Sequence, residues 1–587
     1  MAPPPSPGKP KPAFFIAVLA VVAGLIGLSV YKCSSKKTKQ EGQVTQTIDP
    51  NIVKKPAIPA ESDDVSGVTT AKTYEVVEAT KIKPVEGTAD YKALGAKRTV
   101  RFAINVWAGW APIIAANGGM KAGKAWKAGL DKDGKAGADF QVELVLADVP
   151  DLMTEGVATS NFHIGWATAD MLPIIAQRLN RDPRTMPRVF QQVDWSNGGD
   201  GIIARDSIKS ISDLKGKTVA LAQNSPSHYF LLSTLLASGI QPKDVKMKFY
   251  GDAFQAAAAF ANDTNIAAAV SWAPDIYTIP EKVKGTKTLL TTGTANKMIA
   301  DVWFARADFA RDNPDIIEGL VRGIFDSMIE LQDPAKKAGA AKLLDAAYGL
   351  PAGDGEKMMG DAHTTNFFES RDFLLNQNNP ANFETTYETA YQLYDAVRAV
   401  DQHTRFHEIL DIDAVTKLYD RLAKEPKYAS QTNEYQFKFT PTSAAAIDAE
   451  SAVITKTVVI KFFPNSFDLK KMVAPAGGGA DIAYDPTIDV TMKEIAQLSA
   501  QYGAARIQIE GHTDSSKRGE ADEALVRELS LNRANAVREE LANKFKLPLN
   551  QFVVAGYGWD KPADPADPNN HAKNRRVEIK VIPAEAQ

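Results

Sequence analysis

The feature of this sequence that most constrains its fold is an uncharged apolar run, AFFIAVLAVVAGLIGLSVY, at residues 13–31. At about 1.5 Å of rise per residue, a helix of this length spans roughly the hydrocarbon core of a bilayer. Because the run contains no ionisable residue, it favours a simple anchor over a proton-conducting segment. We therefore predict one transmembrane helix at residues 13–31, preceded by a short tail at residues 1–12.

The residues around this run leave three interpretations open. The proline-rich start, with Lys9 and Lys11, is also typical of the first part of a secretory signal. No small-residue cleavage site follows the run, however, and the bulky Tyr31 and Lys32 precede the single cysteine, Cys33. These residues favour a retained anchor over a cleaved signal or a lipid-modified Cys33. With one cysteine the chain forms no internal disulfide.

The rest of the chain has the composition of a globular protein and is long enough for about three or four domains. Its 587 residues include 68 basic and 71 acidic ones, for a formal net charge of −3. This balance, without a block of like charge, argues against nucleic acid as a partner. Between residues 32 and 97, Lys, Thr, Pro, Glu and Val predominate, which predicts a linker with at most short strands such as 73–79.

From residue 98 to about 306, short β-rich runs alternate with helical patterns, and residues 310–435 are mostly helical. This alternation predicts an α/β fold with a mainly parallel sheet and helices on both faces. Helices are expected there, for example, at 314–331 and 383–400. The predicted strands are Val100–Val106, Phe140–Leu146, His163–Ala167, Val189–Val193, Gly201–Ala204, Thr218–Ala222, Lys246–Tyr250, Ala267–Trp272, Thr288–Thr292 and Val302–Ala305.

Two turns that follow predicted strands carry the residues of a candidate ligand site. Residues 107–112 follow the strand 100–106, and residues 223–228 follow the strand 218–222. In each turn a proline or a capping residue is placed to begin a helix, so free backbone N–H groups and the positive helix end suit a small anionic group. Ligands of open α/β sheets bind at this edge. Either turn alone is also consistent with an ordinary capped helix.

Six of the eight tryptophans fall at the ends of predicted strands or in the turns after them. They are Trp107, Trp110, Trp166, Trp195, Trp272 and Trp303. Their clustering at one edge of the sheet favours an aromatic-lined cleft, suited to flat rings, apolar stems or cations. Any single one of them is equally consistent with the hydrophobic core.

The motifs WAGWAP (107–112), DWSNGGDG (194–201), DLKGKTVA (213–220), SPSH (225–228) and SWAPD (271–275) together resemble periplasmic solute-binding proteins of ABC importers. The closest group is the nitrate, sulfonate, taurine and thiamine-precursor type, and the resemblance covers residues 98–440. It implies two lobes, the second at about 206–301, joined by crossing strands near 202–205 and 302–306, with a solute bound between them. The solute itself is not implied. The implied solute contacts are Trp110, Trp166, Ser196, Ser225, Ser227, His228, Trp272 and Asp275.

The sequence contains none of the common catalytic or metal motifs. A glycine-rich phosphate loop, a nucleophile elbow and a zincin spacing are all absent. One enzyme branch that the domain resembles relies on a cysteine-rich motif, whereas Cys33 is the single cysteine here. His403 and His407 lie four residues apart on a predicted helix, but no acidic partner completes a metal site, which favours a solvated helix face. We therefore predict a binding protein without catalytic residues, metal or cofactor.

An arginine on an apolar helix stripe distinguishes the last domain. Leu529, Arg533 and Val537 are four residues apart, so Arg533 lies among the apolar side chains of its helix. A charge in that position needs a partner or a ligand. The candidates are a bound anionic group and an internal carboxylate such as Asp514.

The motifs GHTD (511–514), LSLNRANAV (529–537), GYG (556–558) and NRRVEI (574–579) resemble the OmpA-like peptidoglycan-binding domain. The resemblance covers residues 452–583 as a small α+β domain. It implies that Asp514 binds the ammonium group, and Arg533 the carboxylate, of the diaminopimelate side chain of the cell-wall peptide. It also implies that Thr513, Asn574 and Arg575 lie at this site.

Two departures from the family pattern concern the chain that follows Asp514. The loop between Asp514 and Leu529 is a few residues longer than usual, and Val526 stands at a position that is commonly Asn. The charged pair of Asp514 and Arg533 is nevertheless present.

The predicted architecture is one transmembrane helix, a two-lobed α/β periplasmic-binding-protein fold and a small α+β OmpA-like domain. Because peptidoglycan lies outside the inner membrane, we expect the N-terminus in the cytoplasm and everything after Lys32 in the periplasm of a Gram-negative-type bacterium. The expected function is to bind peptidoglycan non-covalently and to present a small solute to an ABC importer permease or a signalling partner. The alternative is a structural tether between membrane and wall whose two-lobed domain has lost its ligand.

Overall fold

The computed structural model describes residues 68–432, 439, 452–475 and 479–583. The apolar run at 13–31, predicted to span the membrane, and Cys33 lie outside these residues. Within the described part of the chain, no helix is both long and apolar enough to cross a membrane. All described residues belong to one compact unit, Pro59–Gln587.

The described secondary structure alternates strands and helices as far as Arg306 and is then mostly helical up to Ala429. The strands are β1 (Val76–Val77), β2 (Thr99–Ile104), β3 (Ala125–Trp126), β4 (Phe140–Leu146), β5 (Ile164–Thr168), β6 (Pro187–Ser196), β7 (Asp200–Arg205), β8 (Thr218–Ala222), β9 (Lys246–Tyr250), β10 (Ala268–Trp272), β11 (Thr286–Thr291), β12 (Ala300–Arg306), β13 (Ala362–Thr364), β14 (Ile454–Val458), β15 (Met472–Val473), β16 (Ile482–Ala483), β17 (Ala505–His512), β18 (Phe552–Gly558) and β19 (Val577–Pro583). The helices are α1 (Ala111–Asn117), α2 (Pro150–Ala158), α3 (Leu172–Leu179), α4 (Pro226–Ala237), α5 (Ala253–Asn262), α6 (Asp275–Lys282), α7 (Ala307–Asp312), α8 (Pro314–Glu330), α9 (Pro334–Tyr348), α10 (Asp354–Met358), α11 (Phe367–Leu375), α12 (Phe383–Ala396), α13 (Phe406–Ile409), α14 (Ile412–Leu422), α15 (Pro426–Ala429), α16 (Ile488–Gln501), α17 (Glu523–Phe545) and α18 (His571–Asn574).

The first lobe is built on a seven-stranded sheet in the order β13-β6-β12-β5-β2-β4-β3. Strand β2 runs parallel to β4 and β5, whereas β12 runs antiparallel to both β5 and β6. Every residue of β5 and of β12 is buried. Strands buried along their whole length are typical of a sheet covered on both faces.

The second lobe is built on a six-stranded sheet in the order β1-β9-β8-β10-β7-β11. The chain enters it from β6 through residues 197–199 and returns from β11 to β12 through residues 292–299, which are the two crossings between the lobes. The ten strands predicted between residues 98 and 306 are all present. The expectation of a mainly parallel sheet is wrong for the strands beside the crossings, because β6, β7, β11 and β12 pair antiparallel with their neighbours.

Four of the six clustered tryptophans, Trp110, Trp166, Trp195 and Trp303, belong to the hydrophobic core of the first lobe, and the ring contacts of Trp303 and Trp195 illustrate this. The ring centroid of Trp303 lies 5.8 Å from that of Phe102 and 5.9 Å from that of Phe190. Trp195 packs edge-on against Phe373 at 5.2 Å. All four tryptophans are buried, so the idea that the strand-end tryptophans as a group line a cleft is wrong for these four.

Residues 68–97, which the sequence assigned to the linker, lie along the surface of both lobes. Strand β1 pairs antiparallel with β9 at the edge of the second sheet. Thr80 and Gln223 exchange hydrogen bonds of 2.8 and 3.1 Å, and the Val85 amide donates to the Arg178 carbonyl at 3.1 Å. These contacts run mostly through the backbone, which is why the composition of the segment did not predict them.

The third sheet, in the order β14-β19-β17-β18, forms the small domain together with α16 and α17. Two glycines let α17 lie directly on this sheet. A Cβ at Gly511 would be 2.0 Å from the Ser530 carbonyl oxygen, and one at Gly556 would be 2.5 Å from the Leu531 amide. This close approach places the helix that carries Arg533 beside the end of β17.

The small domain and the second lobe share an apolar core. The Ile211 amide donates to the Val453 carbonyl at 3.0 Å, and the Lys297 amide donates to the Gln501 carbonyl at 3.2 Å. Tyr502, which is 0% exposed, belongs to one apolar cluster with residues of the second lobe. The sequence did not predict this contact, because hydrophobic periodicity marks the buried face of an element but does not identify the element that packs against it.

Candidate functional site

Five aspartates meet where the first sheet ends and the crossings begin. In the register of the sheet, Asp194 of β6 lies opposite Asp301 of β12, and Asp301 lies opposite Thr168 of β5. The other three come just after β5, at the first residue of β7 and just before β13. Together they form the acidic row: Asp170, Asp194, Asp200, Asp301 and Asp361.

The acidic row is only partly hydrogen-bonded. Asp194 Oδ1 accepts a hydrogen bond from Trp107 Nε1 at 3.1 Å, and Asp200 Oδ2 accepts one from Ser196 Oγ at 2.7 Å. The carboxyl groups of Asp194 and Asp301 lie within hydrogen-bonding reach of each other, whereas both carboxyl oxygens of Asp170 accept no hydrogen bond of ordinary geometry from the described residues. Asp170 and Asp194 are each 0% exposed. Buried carboxyl groups without donors either hold a proton or need a positive charge.

Burial raises the pKa of these carboxyl groups. The pKa of Asp170, of Asp194 and of Asp200 is raised to about 7, and that of Asp361 to about 6, chiefly because burial desolvates the charged form. Burial and the carboxyl groups of Asp194 and Asp200 raise the pKa of Asp301 well above its ordinary value. Near pH 7 the acidic row therefore carries bound protons.

Hydroxyl groups join the two crossings to the second lobe. Ser196 Oγ lies 2.9 Å from Thr292 Oγ1, and the Gly198 amide donates to the same Thr292 oxygen at 2.9 Å. The Tyr277 hydroxyl of α6 donates to the Gly198 carbonyl and lies 3.3 Å from Asp361 Oδ1. Ser196, predicted as a solute contact, is therefore at the centre of the crossings.

A pocket of ≈ 480 Å³ in the first lobe is lined in part by β13, the strand that pairs with β6, and by none of the acidic row. Its lining includes Ala108, from the turn after β2, and the three residues of β13. Within β13, Thr364 is the register partner of Asp194 and Ala362 is that of Ser196. The volume is typical of small-molecule sites.

The first turn of α4 carries three of the predicted solute contacts. Ser225 Oγ donates to the Ala222 carbonyl at 2.9 Å. Ser227 Oγ and His228 Nε2 are buried and have no hydrogen-bond partner among the described residues. Burial lowers the pKa of His228 to about 4, so its imidazole is neutral at pH 7. Helix α4 contacts residues 169–171 of the first lobe, so the helix lies at the boundary between the two lobes.

The three tryptophans predicted as solute contacts differ in position. Trp110 and Trp166 are buried in the first lobe, where their indole nitrogens donate to acceptors at 2.6 and 2.8 Å. Trp272 is partly exposed, lies opposite Asp200 across β10 and β7, and packs edge-on against Phe254. Of the three, Trp272 lies next to the crossings.

Asp275, also predicted as a solute contact, is hydrogen-bonded to the N-terminal segment. The Thr70 amide donates to its two carboxylate oxygens at 2.9 and 3.1 Å, and the Thr70 hydroxyl donates to Oδ1 at 2.6 Å. Asp275 therefore receives from Thr70 the donors that a solute would otherwise provide.

We expect Asp275→Ala to lower the free energy of unfolding by about 1–3 kcal/mol, since Asp275 is buried and the substitution removes its hydrogen bonds with Thr70. Urea unfolding followed by tryptophan fluorescence measures this change. The matched control is Asp206→Ala, at an exposed carboxylate, for which the change stays within about 0.5 kcal/mol. Unchanged stability combined with weaker solute binding would assign Asp275 to the solute instead.

In the small domain, Asp514 follows β17 and is held by its neighbours. Arg575 Nη1 donates to Asp514 Oδ2 at 2.7 Å, and the Ser516 amide donates to Asp514 Oδ1 at 2.9 Å. Burial by itself raises the pKa of Asp514, but hydrogen bonds with the Ser516 side chain, with Arg575 and with the Ser516 amide, together with the charge of Arg575, outweigh it, so the pKa lies below its ordinary value. The carboxylate is therefore ionised at neutral pH.

Arg533 lies close to Asp514 without pairing with it. Its Nε donates to the Ser466 carbonyl at 3.1 Å, and its guanidinium lies 4.8 Å from the ring centroid of Phe462. Burial lowers the pKa of Arg533, the charge of Asp514 raises it and that of Arg575 lowers it. Within the described residues, no carboxylate comes within ion-pair distance of this guanidinium, which is 8% exposed.

The two remaining residues predicted for this site have different surroundings. The Thr513 amide donates to the Gly558 carbonyl at 2.8 Å, and its hydroxyl is buried beside Asp514. Asn574 holds a loop, since its side chain accepts from the Ala563 amide and donates to the Pro568 carbonyl, both at 2.8 Å. The structure therefore brings Thr513, Asp514, Arg533 and Arg575 together, whereas the Asn574 amide is engaged within the loop.

The two histidines expected to share a helix do not. Helix α13 begins at Phe406, so His403 precedes it while His407 lies within it. His403 Nε2 lies 2.7 Å from Glu388 Oε2, and its ring stacks on that of Tyr391 at 4.1 Å. Residues 400–405 are not helical, so His403 and His407 do not have the helical spacing that a shared metal would have required.

Sequence reasoning missed most of the acidic row. Asp194 and Asp200 belong to the motif DWSNGGDG, of which only Ser196 was predicted to contact a solute. Asp301 stands within the apolar run ADVWFA. An acidic residue inside a buried strand pattern is the signal that could have identified Asp301. Only the pairing of strands shows that it faces Asp194.

Two family descriptions match parts of this chain: NMT1/THI5 like at residues 188–337 and OmpA family at residues 476–576. Outer membrane porin F of Pseudomonas aeruginosa is 34% identical over 136 residues, which make up 23% of this chain and 35% of the porin. The taurine-binding periplasmic protein of Escherichia coli is 26% identical over 174 residues, which make up 28% of this chain and 52% of that protein. The chain thus spans about a third of the first relative and about half of the second.

Among solved structures, the alkanesulfonate-binding protein SsuA from Xanthomonas axonopodis pv. citri bound to MOPS matches with a TM-score of 0.39 at 17% identity. The match covers 55% of this chain and 99% of that one. The family matches agree with the two resemblances seen in the sequence. The chain therefore contains an NMT1/THI5-like domain and an OmpA-family domain.

Proposed function

We propose that this chain is a cell-envelope protein that binds the peptide of peptidoglycan through its small domain and a small solute between the lobes of its larger domain. The observation that carries the proposal is the state of Arg533, whose buried guanidinium has one backbone acceptor and no carboxylate partner among the described residues. A guanidinium in that state has terminal nitrogens without an acceptor in the chain and is therefore suited to bind a carboxylate.

Diaminopimelate carries charges that are complementary to those of Asp514 and Arg533. Its side-chain end carries an ammonium group and a carboxylate, so Asp514 would bind the first and Arg533 the second in a two-pronged hydrogen bond. Arg575 Nη1, which lies 2.7 Å from Asp514 Oδ2, holds the Asp514 carboxylate in place. The OmpA-family match at residues 476–576 contains all three residues.

The larger domain is proposed to hold its solute at the crossings. Ser196 and Thr292 lie there with the acidic row, and the buried first turn of α4 faces the same boundary between the lobes. No catalytic step is part of the proposal. The apolar run at 13–31 is proposed to anchor the chain in the inner membrane, and the wall contact to keep the cleft at a fixed depth for an importer permease or a signalling partner.

A second candidate is a structural tether without a solute. The hydrogen bonds that already engage Asp275 and Ser225 favour it, because two of the expected solute contacts have partners within the chain. Under this alternative the wall contact remains and the cleft has no ligand.

Co-sedimentation of the purified full chain with isolated peptidoglycan tests the wall half of the proposal. We expect the chain to pellet with peptidoglycan and to be released by free diaminopimelate. An equal concentration of lysine should not release it, because the lysine side chain has an ammonium group but no carboxylate beside it. Release by lysine at the same concentration, or no pelleting, would contradict the assignment. The solute half is tested separately by the ligand panel described below.

A further inference from the structure

The acidic row is unusual because acids face each other across neighbouring strands. Asp194 and Asp301 are directly opposite in an antiparallel pair, where side chains on one face lie about 4.5–5.5 Å apart at Cβ. Like charges in that arrangement repel each other. Asp200 and Asp361 continue the row across the first crossing, and Asp170 continues it past the next strand, β5.

The chain supplies almost no positive charge to this row. Among the described residues, no lysine or arginine pairs with any of its five members. His363 is the basic group that acts on Asp194, and its own Nε2 lies 2.8 Å from Glu369 Oε1. The missing positive charge must therefore come from protons or from a ligand.

A second observation points to a ligand. Asp170 is 0% exposed, yet neither of its oxygens accepts a hydrogen bond of ordinary geometry from the described residues, although the Thr168 hydroxyl is nearby. The side chain is close enough to Tyr229 of α4 and Tyr394 of α12 to act on their titration. An unsatisfied carboxyl group at the boundary between two lobes is placed to contact whatever the lobes enclose.

Aromatic rings stand beside the same carboxyl groups. The Trp107 indole donates to Asp194, and a Cβ at Gly199 would lie 2.5 Å from the Trp107 ring, so this ring covers the first crossing. Tyr277 covers the crossing from the second lobe. Carboxylates together with ring faces are the usual surroundings of organic ammonium groups.

From this arrangement we infer that the acidic row recognises the ammonium group of a small organic cation, and this inference rests on the proposed solute-binding function. A bare metal ion fits less well. In the described part of the chain, the one group of three or more His, Cys, Asp or Glu residues whose ligand atoms all come within 4.8 Å of one another is Glu510, His512 and Glu578, in the small domain. The oxygens of the row do not converge on a point as metal ligands do. A sulfonate or nitrate would meet carboxyl groups without an opposing cation.

Thermal unfolding and titration calorimetry of the full chain test this inference with matched probes. Choline is compared with 3,3-dimethylbutan-1-ol, its neutral isostere, and ethanolamine with propan-1-ol. Ethanesulfonate, nitrate and calcium chloride complete the set. We expect an ammonium compound, and not its neutral partner, to raise the midpoint of unfolding and to bind at least tenfold more tightly.

The variant Asp301→Asn separates recognition from structure. It removes one of the two facing acids while keeping the shape, so we expect the ligand-free midpoint at pH 8 to stay equal or rise, and the affinity for the ammonium compound to fall at least tenfold. Asp194→Asn serves if the first variant does not fold. The control is Asp206→Asn, at an exposed aspartate outside the row. A lower midpoint with unchanged affinity would make the row structural and overturn the inference.

The other outcomes are distinct from one another. Stabilisation by ethanesulfonate or nitrate and not by ammonium compounds overturns the inference but leaves a solute-binding protein. Stabilisation by calcium alone replaces the organic cation with a metal. No stabilisation by any probe overturns the inference and removes the solute half of the proposed function in favour of the tether.

Discussion

Arg533→Ala is expected to weaken binding of the full chain to purified peptidoglycan at least about 30-fold, which corresponds to about 2 kcal/mol or more for loss of one partner of a buried charged pair. The reason is that the guanidinium keeps only the Ser466 carbonyl as a partner within the chain, which leaves its terminal nitrogens for a carboxylate. Co-sedimentation at increasing peptidoglycan concentration measures the loss.

The same substitution should have little effect on stability. The unpaired charge of Arg533 is costly to bury, so its removal offsets the lost contact with Phe462. We expect Arg533→Lys to bind with intermediate strength, because an ammonium keeps the charge and loses the two-pronged geometry. Arg527→Ala is the matched control on the same helix, since Arg527 is exposed and pairs with Asp560. Normal peptidoglycan binding by a folded Arg533→Ala protein would refute the assignment.

The stability of the ligand-free chain is expected to fall as the pH rises from about 6.5 to 8. In the folded state burial raises the pKa of Asp170, of Asp194 and of Asp200 to about 7, whereas unfolded aspartate titrates near 3.9. The folded chain therefore holds protons that the unfolded chain has already released. Stability of this origin is complete below the unfolded pKa and is lost as the pH passes the folded pKa. Three such groups contribute a loss of about 2 kcal/mol across this window.

Other titratable side chains determine the pH range in which this loss of stability can be measured. Burial lowers the pKa of His163 and His228, which makes stability fall toward acid below about pH 6.5 and would mask the effect there. His363 also faces the row. The tyrosines that face the row stay neutral in this range because burial raises each pKa; they are Tyr229, Tyr277, Tyr348 and Tyr394.

Urea unfolding at several pH values between 6.5 and 8 measures the slope. We expect Asp301→Asn to reduce it, because the carboxyl group of Asp301, whose own pKa burial raises, is then no longer present to release a proton. Asp206→Asn should reproduce the slope of the unsubstituted chain. A stability that is level or rises with pH over this range would show that the row is ionised and paired in the ligand-free state.

The parts of the fold that were predictable depend on residues close together in the chain. The alternation of strands and helices placed β4, β8 and β9 at their observed bounds, because hydrophobic period and helix-start residues are local signals. The charged pair of the small domain was predictable for a similar reason. Asp514 ends a strand motif and Arg533 interrupts an apolar helix stripe, so each is conspicuous within its own element.

The acidic row was not predictable, because its members come from separate elements and meet only through register. A shift of β12 by one residue would turn Asp301 to the other face of the sheet and end its contact with Asp194. The contacts of residues 68–97 were hidden for another reason, since Val85 and Thr80 are held largely through backbone groups that every residue possesses.

By itself, the sequence determined the alternating α/β pattern, the two motif-bearing domains and the presence of Asp514 and Arg533. Those features follow from local periodicity and from side chains whose chemistry is fixed by residue type. Only the tertiary structure decided which acids share a site, that Asp275 is already bonded to Thr70, and that Tyr502 packs into a core with the second lobe. Strand register and domain packing are set by the sum of many distant contacts, and no single stretch of the chain encodes them.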